Sequence, residues 1–480
     1  MNRSLVVRFA TALLALAMLA VPAQAMAGKG KGKSKKPLVV CKHGCKYKTI
    51  QSAVDKAKKG GTINVLKGKY VEGVVFEGHK YDGLTIQGME QKKKKNKKTG
   101  KVTITYKKAD PAKVVLEGKN AKTPDGSTAN NGIEAIDVNG LRVMNMTARN
   151  YGANGFFVRD SDPKAPDNTI ECNDYLFKND IASFNRSYGF YAFGCAGGRF
   201  TKSTGYGHGD SAFYVGATPP QGDNPKITRI DHVNAYENVL GFSGTNSRYM
   251  LIEDSNWFNN GVGLVPNTLD SEPFEPNADG VIRNNDIYWN NFNYFLPNSR
   301  VATVSDGLGE IAPGVVIQYP TGAGVVLLGS TGWTVESNNI FGNFKWGAAV
   351  ISDPFNEGDN AISKNNQFLN NNMGRDGTDT NGTDFFNQGS GVGNCFSGAG
   401  TVDPSPSATN AQLYPACPTT DAVNAGQTGD SQGNLDQFLD LAGYVTTTPP
   451  EKQECDWTKH PHPSPYEGNE PLEVTPGPAC

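Results

Sequence analysis

After residue 21 this chain has no run of about 18 apolar residues, so no later segment is long and apolar enough to cross a bilayer as a helix. No cysteine stands directly after the small-residue stretch Ala23-Gln-Ala25, which argues against a lipid anchor there. The net charge is only −1. No nucleic-acid-binding module is recognisable either, and nucleic acid is not an expected partner. What does stand at the start is basic Met1-Asn-Arg-Ser-Leu-Val-Val-Arg8, then apolar Phe9 to Val21. With Ala23-Gln-Ala25 behind it, this reads as a signal peptide over 1–25, Ala27 being the alternative cleavage point. The expectation is a secreted or cell-surface protein, free of the membrane once the signal is removed, and monomeric.

In an exported chain 8 cysteines favour disulfides over metal ligation. Cys172 and Cys195 are 23 residues apart, close to the coil interval described below, and suit a bridge between adjacent coils. Cys41/Cys45, Cys395/Cys417 and Cys455/Cys480 are the remaining sequential pairs, although spacing alone does not fix the connectivity. Cys41-Lys-His43-Gly-Cys45 offers a soft-metal alternative.

The small net charge conceals an asymmetry. Residues 1–124 hold 28 Lys and Arg against 7 Asp and Glu, and the remainder reverses the balance. Lys29 to Lys36 and Lys92 to Lys98 are the densest clusters. They read either as a flexible arm and an exposed loop, or as attachment to an anionic polymer such as cell-wall material or acidic polysaccharide.

A repeat dominates the rest. Ile230…Asn234…Asn238 places an apolar residue four and eight positions before polar ones. Ile252…Asn256…Asn260, Ile282…Asp286…Asn290, Val335…Asn339…Asn343 and Ile362…Asn366…Asn370 repeat it. Phe177…Ile181…Asn185 and Phe200…Thr204…His208 are degenerate copies. Closing positions from Asn150 onward imply a coil of about 22 residues with insertions. The 53 residues between Asn290 and Asn343 leave room for a second coil or a long excursion. Short β-rich coils with Asn at the corners point to an all-β solenoid, a parallel β-helix, in which amides bond up and down a ladder. Strand alternation then directs Phe156, Phe190, Phe213, Phe242 and Leu264 inward, and Phe157, Tyr191 and Tyr214 outward.

The expected organisation is a basic linker over 26–40, an N-terminal cap and first coils over 41–125, and β-helix repeats over 126–395. An irregular tail or cap rich in Pro, Ser, Thr and Gly follows over 396–480. Ile50 to Ala57 has helical spacing with Thr49 as its cap, and a strand is expected over Thr62 to Leu66. A helix there would cover the open end of the solenoid.

Tyr47-Lys-Thr-Ile-Gln-Ser-Ala-Val-Asp55, Gly68-Lys-Tyr-Val-Glu72 and Leu84-Thr-Ile-Gln-Gly88 resemble the opening of right-handed parallel β-helix proteins of the pectate-lyase-like superfamily. These include pectin methylesterases and secreted bacterial repeat proteins. The resemblance implies a right-handed β-helix and carbohydrate binding. It does not carry a known chemistry over. No Gln-Asp-Thr-Leu-like or Leu-Gly-Arg-Pro-Trp-like stretch is present, which disfavours a methylesterase. Gly207-His208-Gly209 is similar to the Gly-His-Gly of polygalacturonases, and Asn179-Asp180 to their first aspartate motif. Phe193-Gly-Cys195 stands where their paired aspartates belong.

Candidate sites follow from the pattern. Phe157, Tyr191 and Tyr214 form an outward aromatic column suited to sugar C–H faces, unless loops cover it, and Arg159 can meet a uronic acid carboxylate. Arg229, Asp231, Glu253 and Arg283 form a second outward stripe. It is either a set of cross-strand ion pairs or a groove for an acidic sugar, with calcium bridging through Asp231 and Glu253 as an alternative and no other cofactor expected. His208 and Asp210, with Lys202 in the same coil, are the catalytic candidates, His208 replacing Asn at a corner. The leading expectation is a protein that binds, and modifies as lyase, hydrolase or epimerase, an acidic extracellular polysaccharide. The rival is a non-enzymatic surface or matrix protein.

Overall fold

A computed structural model describes residues 36–164, 169–292, 321–343, 345–353, 356, 358–400 and 414–419, plus the backbone at 310–312, 315–316 and 404–405. The chain divides into two units, and everything below concerns the larger, Pro37–Cys480. The signal peptide, most of the linker, most of the tail and the Cys455/Cys480 pair lie outside the described residues.

Three parallel sheets build this unit, and each turn of the chain adds one strand to each. The first sheet runs from Leu38–Val40 to Cys395–Ser397. The second runs from Gly68–Tyr70 to Asn372–Met373, and the third from Val74–Glu77 to Pro404–Ser405. The one departure on the first sheet is an antiparallel hairpin, Thr85–Lys95 with Val102–Lys108. This is an all-β parallel β-helix with almost no helix.

Strand alternation sets the core. Phe156, Phe190, Phe213, Phe242 and Leu264 are direct partners on successive strands of the third sheet. All five are completely buried. Phe190 and Phe213 stack with ring centroids 4.8 Å apart and planes 5° from parallel. Phe157, Tyr191 and Tyr214 are partners in the adjacent register and face out, as expected.

At the corner between the second and third sheets, each backbone N–H donates to the corner side chain of the next coil. Tyr151 donates to Asn185, Asn185 to His208 and His208 to Asn238. Asn238, Asn260, Asn290 and Asn343 continue the series to Asn381. Because Asn290 donates directly to Asn343 at 3.1 Å, the 53-residue interval is a single coil with a long insertion. The ladder begins at Tyr151. Asn150, one residue earlier, has a positive φ of 60°. The last expected repeat is also displaced, since Phe368, not Ile362, pairs with Val335. Asn366 belongs to a different corner, receiving the Trp333 N–H and donating to Asn394.

Columns of left-handed residues accompany the ladders. Asn145, Asn179, Lys202, His232, Asp254, Asn284, Ser337 and Asn370 all have positive φ at the first-to-second corner. Gly207 belongs to the matching column at the second-to-third corner with Phe184, Glu237 and Asn259. A Cβ on Gly207 would also meet the Phe184 ring at 2.4 Å, so glycine is needed there on two counts.

The N-terminal helix is shorter than its periodicity suggests, Ile50–Val54, and Thr49 accepts from the Ser52 N–H as its cap. Glu72 explains the Gly68-x-Tyr70-x-Glu72 element without invoking chemistry. Its two carboxylate oxygens accept the N–H groups of Ile50 and Gln51 at 2.9 and 3.0 Å, satisfying donors that a helix start leaves open. The strand at Thr62–Leu66 is present. Cys41–Cys45, Cys172–Cys195 and Cys395–Cys417 are disulfides. The first removes both thiols of the soft-metal alternative, and the second joins the starts of neighbouring first-sheet strands.

Candidate functional site

The outer face of the third sheet gathers most of the chemistry. Glu134, Phe157, Tyr191, Tyr214 and Ser243 occupy one register column. Phe157 and Tyr191 stack at 4.3 Å with planes 7° apart, and Tyr214 meets Tyr191 edge-on at 4.8 Å. Tyr188 leans on both Tyr191 and Tyr214. This packing buries Phe157 and Tyr214, at 9 % and 3 % exposure, and leaves Tyr191 partly open. The Arg159 guanidinium lies 5.9 Å from the centre of the Phe157 ring, and its Nε donates to Glu134 at 3.0 Å.

Two carboxyl groups complete the cluster. Asp210 stands just before strand Ser211–Gly216, with its backbone N–H fixed on the Ser187 carbonyl. Its Oδ1 is enclosed and has no hydrogen-bond partner among the described residues. Glu272 arrives from the segment after strand Val262–Asn267 and accepts from the Tyr214 hydroxyl, which is 3.2 Å from each of its oxygens. Buried Asn246 holds that segment, its amide donating to the carbonyls of Leu269, Glu272 and Pro273 and its Oδ1 accepting the Leu269 N–H. Arg248 adds bonds to the Phe274 and Glu275 carbonyls. Glu272 is therefore held from both sides of its own backbone.

Burial pushes Asp210 up to about 7, with the Glu272 charge adding to the rise and Ser211 opposing it. Burial also pushes Glu272 up to about 7, against the stabilising Tyr214 hydroxyl. Desolvation raises the Tyr191 and Tyr214 hydroxyls far above their usual range, and the neighbouring Glu272 and Asp210 carboxyls raise them further. Burial thus raises both carboxyls toward neutrality on the same face, a setting in which one can serve as acid and the other as base.

The other sequence candidates lie elsewhere. His208 is completely buried and is a rung of the corner ladder, its Nδ1 accepting the Asn185 N–H at 3.2 Å. Burial lowers its imidazole to about 3, so it stays neutral and enclosed. Lys202 is exposed at a different corner, with strand Thr204–Tyr206 between it and His208. The Arg229–Asp231–Glu253–Arg283 stripe is on the first sheet, apart from the aromatic column. Arg199 grips Asp231 with two bonds of 2.6 Å. Glu253 accepts from Arg283 at 2.9 Å and pairs with Arg229 at 3.3 Å. Asp231 and Glu253 are thus already matched with guanidinium groups, and no cluster of metal-ligating residues occurs among the described residues.

Two features escaped the sequence reading. Glu272 sits in an insertion, where no repeat marks it. The second is an aromatic ladder on the second sheet, in which Tyr206, Tyr236, Phe258, Tyr288 and Phe341 stack at 4.9–5.2 Å. Its signal was legible as an aromatic two positions after each strand-opening residue, in Asn234-Ala-Tyr236, Asn256-Trp-Phe258, Asp286-Ile-Tyr288 and Asn339-Ile-Phe341.

No family model matches this chain, and no curated protein matches it. Among solved structures it is similar to the A-module of a mannuronan C-5 epimerase from Azotobacter vinelandii. That match has 15% identity over 72% of this chain and 92% of that one, with a TM-score of 0.34. It is also similar to the catalytic domain of an α-1,3-glucanase, at 10% identity over 79% and 67% of the two chains and a TM-score of 0.43. A tailspike protein of an Escherichia coli bacteriophage matches at 10% identity over 75% and 42%, with a TM-score of 0.44.

Proposed function

We propose that this chain is an exported glycan-active protein whose third-sheet face binds a polysaccharide and cleaves it by hydrolysis. The observation that carries the reading is the presence of two half-buried carboxyls, Asp210 and Glu272, beside the partly open Tyr191, with burial pushing both up to about 7. Glycoside hydrolysis needs two carboxyls flanking the scissile bond. The protonated one gives its proton to the leaving oxygen, and the ionised one activates water or attacks the anomeric carbon. Tyr214 orients Glu272, and Tyr191 offers a ring face to the sugar. The charged groups that act on these titrations are acidic apart from Arg159, which is engaged by Glu134. A neutral polymer suits this face better than the acidic one the first-sheet arginines suggested. Burial of Phe157 and Tyr214 supports the rival reading of a non-enzymatic spacer.

Incubation with a panel of neutral and acidic polysaccharides tests the proposal, with reducing ends and ultraviolet-absorbing unsaturated products both read. New reducing ends from a neutral polymer, lost in Glu272→Gln and Asp210→Asn, support hydrolysis. Unsaturated products would replace it with elimination chemistry, and no product from any polymer would leave the spacer reading.

A further inference from the structure

We propose a second binding site, independent of the third-sheet face. It is a basic groove between the Cys41–Cys45 loop and the projecting hairpin, and it takes an anionic polysaccharide. The hairpin begins inside the first sheet, where Leu66 pairs with Met89 and Gln87 with Met144. Beyond Met89 its strands leave the solenoid and pair only with each other, as far as Lys95 opposite Val102.

Alternation gives this hairpin two faces. Met89, Gln91 and Lys93 share a face with their partners Lys108, Tyr106 and Ile104. That face and the disulfide-closed loop enclose a groove of about 670 Å³. Its cations are Lys42, Lys67, Lys93 and Lys113, and its one carboxylate is Glu90. Glu90 is already taken by Lys107 at 2.7 Å and by Lys113 at 3.7 Å. Lys67 and Lys93 have no carboxylate partner among the described residues, so their charge is available to a ligand. Lys95, opposite Val102 on the same face, extends the cationic track, and exposed Lys97 and Lys98 continue it at the hairpin tip.

The surplus of charge selects an anion, and the groove shape selects a chain over an isolated ion. Aliphatic Ile104 and Val102, 47 % and 51 % exposed, run beside the lysines and suit the C–H faces of sugars carrying carboxylates or sulfates. Single-stranded nucleic acid is recognised chiefly by stacking on aromatic platforms, and this hairpin has a single aromatic ring, Tyr106. Disulfides at Cys41–Cys45 and elsewhere fit an oxidising compartment where such glycans occur. The site is on the first sheet, three rungs before strand Ala196–Thr201 of the coil that carries Asp210, so it is separate from the carboxyl cluster.

The test uses the full chain with immobilised polygalacturonate and dextran sulfate, with neutral dextran as blank. Wild-type protein should bind both polyanions in a salt-sensitive way. Lys67→Glu with Lys93→Glu should weaken this by about tenfold or more. A control, Lys178→Glu with Lys202→Glu, makes the same change in net charge away from the groove and should bind like wild type. Equal loss in both double variants, or in neither, overturns the site. A duplex or single-stranded DNA competitor that displaces the glycan at equal charge concentration overturns the assignment to glycans.

Discussion

Asp231 on the first sheet and Asp210 before the third titrate in opposite directions, although burial acts to raise both. Burial alone would raise Asp231, which is 1 % exposed. Arg199, His232 and Thr201 nevertheless bring it below the usual carboxylate range. Asp210 has an enclosed, unpartnered oxygen and a carboxyl neighbour, and it rises to about 7. Depth alone therefore does not separate a structural carboxylate from a chemically poised one. The presence of a matched cation does. The first-sheet stripe is closed on itself, whereas the third-sheet cluster keeps unspent acid–base capacity.

The largest effect expected of this difference is on turnover. Glu272→Gln or Asp210→Asn should reduce glycan cleavage by about 10²–10⁴, while Glu253→Gln on the first sheet leaves it within about twofold. Comparable losses from all three would erase the distinction. Phe213→Ala, one residue from Tyr214 but facing inward, should cost about 3–5 kcal/mol of stability, measured by denaturant unfolding. Tyr214→Phe should fold normally and lose activity through a misoriented Glu272.

Stability against pH separates the two faces next. A carboxyl raised on folding contributes stability that is present below its unfolded pKa and lost as pH rises through the folded one. Wild type should therefore weaken between about pH 4 and the neutral value of Asp210. Asp210→Asn should escape part of that loss, gaining about 2 kcal/mol relative to wild type at alkaline pH. No relative gain at high pH would mean that Asp210 ionises freely. Asp231 behaves inversely, since its pKa is depressed. Its contribution is present above the unfolded value and disappears as pH falls through the folded one. Arg199→Ala should cost about 1–2 kcal/mol at neutral pH, with the deficit shrinking in acid.

The sequence disclosed whatever the coil repeats and little of what interrupts it. Phe156, Phe190, Phe213 and Phe242 were legible because alternation and stacking impose one residue type at one position per coil. His208 misled because a ladder rung needs only a group that accepts the N–H from below, and neutral imidazole does this as Asn does. Its chemical reputation carried no information about access. Asn150 and Asn370 misled differently, since Asn is also favoured where φ is positive, and both stand in those columns. Glu272 was invisible because its position depends on an insertion whose backbone is tied to Asn246 across a coil, a contact that no periodicity encodes. The first-sheet stripe was read correctly as adjacent opposite charges. Its placement apart from the aromatic column depends on three corners per coil, which spacing alone does not reveal.

The smallest expected effect asks which face the polymer touches. Tyr191 is the partly open member of the outward column, resting on Phe157, so its truncation removes a contact surface more than a structural prop. Tyr191→Ala should lower polysaccharide affinity by about five- to tenfold, measured by affinity electrophoresis. Its stability cost should stay under about 1.5 kcal/mol, the upper range for one aromatic pair. Arg283→Ala is the matched first-sheet change. It releases one side of Glu253, but Arg229 still holds the other at 3.3 Å, so stability should fall by less than about 1 kcal/mol and affinity should not move. If Arg283→Ala weakens binding and Tyr191→Ala does not, the polymer runs over the first sheet, and Asp210 with Glu272 would have to be explained without it.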